Sequence, residues 1–181
     1  MTERGAGGLS VIAWLASPVL LLVMGWLAGL RLNLTGSLPV GLYVISPSMP
    51  VRGALVLACL PAKVAAFAYA RGYVPRGEEC PNGVAPIGKP VAAIAGDTVA
   101  VTPAGLFVNG APVPNSRALA TDRKGRPLPQ LRATRSVVQP GTIWIVSSYS
   151  PFSFDSRYFG AVDARQVRAS LQSLWTAGSQ R

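Results

Sequence analysis

Residues 87–99 read IGKPVAAIAGDTV, an apolar run that holds a single lysine, Lys89, near its start. The β-branched and small apolar residues, bounded by Gly and Pro, predict a buried β-strand. Lys89 is the only charged residue between Glu79 and Asp97. Burial would favour its neutral amine and lower its pKa from the ordinary value of about 10.4. A neutral amine can take the proton of a serine hydroxyl at neutral pH. The alternative is an ordinary lysine at an exposed strand end.

Similar short apolar runs, separated by Gly and Pro, fill most of the chain after residue 31. They predict β-strands at Val40–Ile45, Ala54–Leu60, Pro90–Val101, Gly105–Pro114 and Thr142–Ser147. The dipeptide Asn109-Gly110 predicts a hairpin turn, because both residues tolerate positive φ. Pro61 followed by Ala62–Ala70 predicts one short helix with the proline in its first turn. The tail Val167–Trp175 fits either a strand or a helix.

Two segments without sustained periodicity, Arg71–Gly88 and Asn115–Val137, are rich in Pro, Gly and Arg. They predict surface excursions from a sheet. The second contains a group of cations that Pro127 and Pro129 interrupt, so we interpret it as a basic loop and expect no nucleic-acid partner.

An uncharged apolar segment, Leu9–Leu30, precedes these strands and lies between Arg4 and Arg31. At about 1.5 Å per residue, a helix of this length spans about 33 Å, enough for a bilayer core. We therefore predict a short tail at 1–8, a transmembrane anchor at 9–30 and one mainly β domain at 31–181. The alternative for 9–30 is a cleavable signal peptide.

The chain contains no histidine, which removes the usual base of serine and cysteine hydrolases and the commonest metal ligand. Two cysteines alone do not form a zinc site, so we expect no metal and no cofactor. The formal net charge is +10, which is compatible with anionic lipid, an acidic partner or a solvated basic surface.

Two further islands flank the lysine segment in the sequence. Residues 33–43 read NLTGSLPVGLY, a turn that could direct the Ser37 N–H at a substrate carbonyl. Residues 153–160 read SFDSRYFG, where Asp155 and Arg157 would share one face of an extended strand and could form an ion pair. Taken singly, the serine could instead make a local backbone hydrogen bond, and the pair could be a surface ion pair of little consequence.

The three islands in this order resemble bacterial signal peptidase I and, more closely, its conjugative-transfer branch, the TraF peptidases. The resemblance implies a signal-peptidase-like β domain with Ser37 as nucleophile and Lys89 as general base. It also implies supporting roles for other residues: Thr35 completes the oxyanion hole, Ser153 orients the lysine, and Asp155 and Arg157 hold the site together. Pro90 and the run Ser147–Ser150 depart from the housekeeping pattern, which argues against ordinary secretory cleavage.

The resemblance further implies a serine endopeptidase on the periplasmic face of the bacterial inner membrane, or in the periplasm if the N-terminal segment is removed. Its expected partners are an exported pilin precursor, inner-membrane lipids and other conjugative pilus-assembly proteins. The acyl-enzyme could be resolved by water or by the pilin's own amine, which would give a cyclic pilin. In an oxidising periplasm Cys59 and Cys80 could form a disulfide, or they could remain reduced thiols.

Three alternatives to this function remain at the level of sequence. A general signal peptidase would cleave ordinary signal peptides, and a non-catalytic pilus-assembly factor would keep the fold without turnover. Self-cleaving repressors also use a Ser-Lys dyad, but they need a DNA-binding segment where this chain has its apolar one.

Overall fold

The structure, a computed structural model, describes residues 18–47 and 50–177. A seven-stranded sheet has the order β1-β2-β11-β3-β4-β9-β10, and a four-stranded sheet has the order β7-β6-β5-β8. The strands of the first sheet are β1 (Leu30–Asn33), β2 (Gly41–Ser46), β3 (Leu55–Ala58), β4 (Ile87–Ala93), β9 (Thr142–Ile145), β10 (Val162–Asp163) and β11 (Val167–Thr176). Those of the second are β5 (Thr98–Thr102), β6 (Gly105–Val108), β7 (Ala111–Pro112) and β8 (Thr134–Val137).

Helices are few in the part of the chain that the structure describes. Residues 18–27 are helical and are called α1 here. Two others are α2 (Ala62–Ala70) and α3 (Ser156–Phe159), and Ala164–Gln166 form a 3-10 turn. The prediction of a mainly β domain is therefore confirmed.

Strand β4 runs through the middle of the larger sheet, between β3 and β9. Its burial alternates, with Ile87, Lys89, Val91 and Ala93 facing inward. Val91 belongs to a core that also contains residues of β3, β9 and helix α2. Because side chains of a strand alternate between its two faces, Lys89 lies on the same buried face as these apolar residues.

The predicted strand Pro90–Val101 divides into β4 and β5, which belong to different sheets. A turn built on Asp97 separates them: the Ile94 N–H donates to Asp97 Oδ2 at 2.9 Å, and the Asp97 N–H donates to the Ile94 carbonyl at 3.0 Å. Gly96 has φ +88°, a value that favours glycine. This turn carries the chain from one sheet to the other.

Two local predictions are confirmed, and the structure decides between the strand and the helix that the sequence left open for the tail. Asn109 and Gly110 both have positive φ, 51° and 84°, and join β6 to β7. Helix α2 has the predicted bounds, with Pro61 at its N-cap, just before the first turn. The tail forms strand β11, which pairs with both β2 and β3.

The N-terminal segment differs from the sequence prediction at its C-terminal end. Leu30, predicted as the last residue of the anchor, begins β1 and pairs with Val44, so the predicted boundary at residue 31 falls inside a strand. Residues 1–17 lie outside the described residues, so the tail and the first part of the predicted span do as well. Within residues 18–47 and 50–177, no helix is long and apolar enough to cross a bilayer.

A disulfide joins Cys59 and Cys80, whose Cα atoms are 5.6 Å apart. Cys59 directly follows β3, and Cys80 lies in the excursion that precedes β4. Both residues are buried. The bond therefore ties the Arg71–Gly88 excursion to the strand beside β4.

Candidate functional site

The turn between β1 and β2 is organised by the side chain of Asn33. Its Nδ2 donates to the carbonyls of Thr35, Leu38 and Pro39 at 3.0–3.1 Å. Its Oδ1 accepts from the Thr35 N–H at 3.2 Å and from the Thr35 hydroxyl at 2.7 Å. One amide thus satisfies several backbone groups that a turn leaves without strand partners, and it fixes the chain on both sides of Ser37.

Leu38 fixes this turn against the strand that carries the lysine. Leu38 is buried at 3% exposure, and a Cβ on Gly88 would lie 3.1 Å from its Cδ1. The missing side chain of Gly88 therefore makes room for Leu38. Because Ser37 precedes Leu38 and Lys89 follows Gly88, this one contact brings the two predicted catalytic residues to the same place.

Lys89 is only 5% exposed. Burial lowers the pKa of Lys89 to about 8; the Asp155 carboxylate acts to raise it and the Arg157 guanidinium to lower it further. Within residues 18–47 and 50–177 the ammonium group forms no ion pair. Desolvation without a paired charge is the condition under which a lysine becomes a base at near-neutral pH.

Ser147 links the serine turn to the rest of the site, a role that the sequence did not reveal. Its hydroxyl donates to the Ser37 carbonyl at 2.6 Å, and its backbone N–H donates to Asp155 Oδ2 at 3.0 Å. The Arg157 guanidinium donates to the Ser147 carbonyl at 2.7 Å. The only signal in the sequence was that the run Ser147–Ser150 departs from the housekeeping pattern.

Asp155 and Arg157 form a fully buried ion pair with two contacts, at 2.8 and 2.9 Å. The extended strand predicted here is wrong, because Asp155 is the N-cap of helix α3 and accepts from the Arg157 N–H at 3.2 Å. Arg157 also donates to backbone carbonyls of Asn115 and Pro151. A buried pair with its remaining donors satisfied holds segments distant in sequence together.

The remaining two predicted supporting residues differ in their surroundings. The Ser153 hydroxyl is buried and has no hydrogen-bond partner among the described residues, an arrangement that calls for an explanation. Thr35 is exposed, and its hydroxyl is directed at Asn33. Thr35 does not line the cleft that contains Ser37.

That cleft has a volume of about 410 Å³ and contains both Ser37 and Lys89. Gly36, Ile87 and Phe154 also line it, as do residues of the 119–128 loop. Its size falls in the range of about 300–1,000 Å³ typical of ligand pockets. No cluster of metal-binding side chains occurs in the described ranges, and what the cleft contains is a candidate nucleophile beside a desolvated amine.

Comparisons with known proteins show the family of the chain. The family model described as signal peptidase, peptidase S26, matches residues 8–176. An Escherichia coli plasmid transfer protein TraF is 38% identical, with 96% of this chain and 97% of the relative covered. A conjugal transfer protein TraF of Agrobacterium tumefaciens is 44% identical over 82% of this chain and 83% of its own length.

Among solved structures, a signal peptidase I from Enterococcus faecalis is 19% identical with a TM-score of 0.40, and the match covers 70% of this chain and all of that one. A probable conjugal transfer protein TraF of Sinorhizobium fredii is 35% identical, with 97% of this chain and 95% of the relative covered. The matches to the family model and to the TraF proteins extend over most of the chain, which confirms the resemblance that the three islands indicated. The chain belongs to the peptidase S26 family of signal peptidases and is related within it to the TraF proteins of conjugal transfer.

Proposed function

We propose that this chain is a serine endopeptidase in which Ser37 is the nucleophile and Lys89 the general base. The observation that carries the proposal is a buried lysine, with a pKa of about 8, in the same cleft as Ser37. The family supplies the reaction class, since signal peptidases of this family are serine peptidases. Absence of histidine from the chain requires a different base, and Lys89 meets that requirement.

In the proposed reaction the neutral Lys89 amine takes the proton of the Ser37 hydroxyl as Ser37 Oγ attacks a substrate carbonyl carbon. The tetrahedral intermediate collapses when its C–N bond breaks, and the Lys89 ammonium gives its proton to the leaving amine. An acyl ester on Ser37 remains. Lys89 then activates water, which attacks the ester and releases a carboxylic acid, while Ser37 recovers its proton.

The oxyanion would be stabilised by the Ser37 N–H and the Thr35 hydroxyl. That hydroxyl donates to Asn33 at 2.7 Å in the structure, so it would have to turn toward the cleft when substrate binds. Loss of one oxyanion donor typically costs about 3 kcal/mol of barrier. Ser153, whose buried hydroxyl has no hydrogen-bond partner in the part of the chain that the structure describes, would orient the Lys89 amine.

The substrate that we propose is an exported pilin precursor, processed during conjugative plasmid transfer. The support is the nature of the relatives, which are plasmid and conjugal transfer proteins. Resolution of the acyl ester by the pilin's own N-terminal amine would close a cyclic product. Acylation breaks one peptide bond; the amine then displaces Ser37 Oγ from the ester and forms another, while Ser37 recovers its proton. An intramolecular amine has a high effective concentration for this second step.

This function places the domain on the periplasmic side of the inner membrane, beside membrane lipids and other pilus-assembly proteins. The apolar character of residues 9–30 and the Cys59–Cys80 disulfide support that location. The membrane anchor predicted at 9–30 remains a prediction, except that Leu30 belongs to β1.

The test is the mass of the pilin from cells that carry the wild-type chain, Ser37→Ala or Lys89→Ala, with the amount of each variant checked by immunoblot. We expect both variants to accumulate a larger precursor. A wild-type pilin that lacks one water relative to the linear chain would establish cyclisation. An unchanged pilin mass in all three strains would reject the peptidase and favour the non-catalytic assembly factor.

A further inference from the structure

A tight turn at residues 122–126 presents two cationic side chains at the cleft. The Asp122 side chain accepts from the backbone N–H groups of Lys124 at 2.9 Å and Arg126 at 3.0 Å. The Gly125 N–H donates to the Asp122 carbonyl at 2.9 Å, and Gly125 has φ +73°. This is the arrangement of a short hairpin loop that ends in a left-handed glycine. Arg123 and Lys124 therefore stand at the tip of a loop with a defined shape.

The one carboxylate among the described lining residues of the cleft, Asp122, is already compensated. Its Oδ2 accepts from the Tyr73 hydroxyl at 2.5 Å and from Arg126 Nε at 2.7 Å, and it lies 3.8 Å from Arg71 Nη1. Desolvation acts to raise the pKa of Asp122, but the hydrogen bonds from Tyr73 and Arg126 outweigh it, so this pKa lies well below its usual range. The Asp122 carboxylate is therefore already paired and does not neutralise Arg123 or Lys124.

Arg123 and Lys124 have no carboxylate partner within residues 18–47 and 50–177. The Arg123 guanidinium lies 4.2 Å from the centre of the Phe152 ring. A guanidinium held over a ring is attracted by the ring face, and its N–H donors can still serve a planar two-contact partner. The ring also restricts Arg123, which reduces the entropy that binding would cost.

The cleft wall therefore carries an excess of positive charge close to the proposed nucleophile. Arg71, Arg123, Lys124 and Arg126 line the cleft together with a single acid, Asp122. Like charges gathered in a concave surface raise the local concentration of an anionic ligand. A polypeptide whose scissile bond lies at Ser37 would extend along this wall, because both line the same cleft.

We propose that Arg123 and Lys124 bind a carboxylate of the substrate polypeptide. The carboxylate would belong either to an Asp or Glu side chain near the scissile bond or to a free C-terminus. The inference rests on the proposed function, because it takes the chain at Ser37 to be the chain held by Arg123. A bidentate guanidinium–carboxylate contact would select substrates by charge and fix their register in the cleft.

The first experiment measures binding without turnover. The full-length Ser37→Ala chain in detergent is titrated into short fluorescein-labelled peptides that tile the pilin precursor, and anisotropy gives Kd. Each acidic peptide is compared with its Asn or Gln counterpart, and each C-terminal acid with its amide. We expect at least one peptide to lose about tenfold or more in affinity when its carboxylate is removed. A loss on the Asn or Gln substitution would identify the ligand as a side-chain carboxylate, and a loss on amidation would identify it as the C-terminus.

The loop is then tested by Arg123→Gln with Lys124→Gln, which should remove the charge preference without weakening the neutral peptide. The matched control is Arg132→Gln with Arg135→Gln, because these exposed cations lie outside the cleft. The charge-reversed pair Arg123→Glu and Lys124→Glu should instead favour a peptide in which Lys replaces the acidic residue. Folding of each variant is checked by thermal unfolding.

The two proposals fail in different ways. Equal affinity for acidic and neutral peptides, or binding of neither, overturns the carboxylate site even if wild type cleaves the pilin. A charge preference in the Ser37→Ala chain with no cleavage by wild type rejects the peptidase and leaves the binding site. The loop variant could instead lose affinity for phosphatidylglycerol vesicles and keep its affinity for the peptides. That outcome would assign the two cations to the membrane and overturn the proposal.

Discussion

The Ser147 hydroxyl donates a hydrogen bond of 2.6 Å to the backbone carbonyl of Ser37. Ser147 is also held by the buried Asp155–Arg157 pair, through its N–H and its carbonyl. The contact thus connects the proposed nucleophile to a fully buried ion pair. Because the bond is to the main chain of Ser37, Ser147 positions the serine and takes no part in proton transfer.

Ser147→Ala is expected to lower kcat on the pilin precursor by about tenfold to a hundredfold, since small misplacements of a nucleophile have effects of that size. KM and the apparent pKa of the pH profile should change little. The control is Ser116→Ala, which removes a buried hydroxyl bonded to Leu106 and Val113 in the smaller sheet. An equal loss of kcat in both variants would mean that the effect is only general destabilisation.

The pH dependence of cleavage should report the state of Lys89. Its pKa of about 8 means that the neutral base is scarce at low pH and dominant above pH 8. We expect kcat/KM to rise about tenfold per pH unit below that value and to reach a plateau above it. A rate that is constant between pH 6 and 9 would contradict Lys89 as base.

Lys89→Met should abolish cleavage but stabilise the fold. Folding lowers the pKa of Lys89 from 10.5 to about 8, so the unfolded chain binds more protons between these values and stability rises with pH there. At about 1.4 kcal/mol per pH unit, the lysine costs about 3 kcal/mol below pH 8. Urea unfolding of the full chain in detergent should show Lys89→Met to be more stable than wild type at pH 7. This difference should shrink by about 3 kcal/mol as the pH rises from 8 to 10.5. A variant less stable than wild type at pH 7 would contradict an unpaired buried lysine.

The sequence allowed most strands, the Asn109-Gly110 hairpin and helix α2 to be predicted, because periodicity and turn chemistry are local. Ser37 and Lys89 could also be assigned from the sequence, because they lie in two of the three recognisable islands. The break between β4 and β5 was missed because Ile94 and Ala95 continue the apolar run and mask the local turn at Gly96 and Asp97. Ser147 was missed for a different reason, because its partner is remote in sequence.

Removal of the Cys59–Cys80 disulfide is expected to lower the free energy of unfolding by about 3 kcal/mol. The two residues are 21 apart in sequence, and closing a loop of that length restricts the unfolded chain by about this amount. The variant Cys59→Ser with Cys80→Ser is compared with wild type by urea unfolding, with and without dithiothreitol. Dithiothreitol should lower the free energy of unfolding of wild type by the same amount and leave that of the variant unchanged. If the wild-type thiols are shown to be reduced and its free energy of unfolding does not change, the disulfide does not stabilise the fold in this way.

Gly88→Ala tests how the serine turn is seated on the strand that carries Lys89. The added Cβ would lie 3.1 Å from Leu38 Cδ1, closer than carbon atoms normally approach, so the buried Leu38 must move by a few tenths of an ångström. Movement of Leu38 displaces its neighbour Ser37, and kcat should fall severalfold, while the free energy of unfolding falls by about 1–3 kcal/mol as in other overpacked cores. The companion change Leu38→Val in the Gly88→Ala background removes the clash, and it should restore part of the lost kcat. Full activity of Gly88→Ala alone, measured on the same pilin precursor, would show that the Leu38–Gly88 contact does not set the position of Ser37.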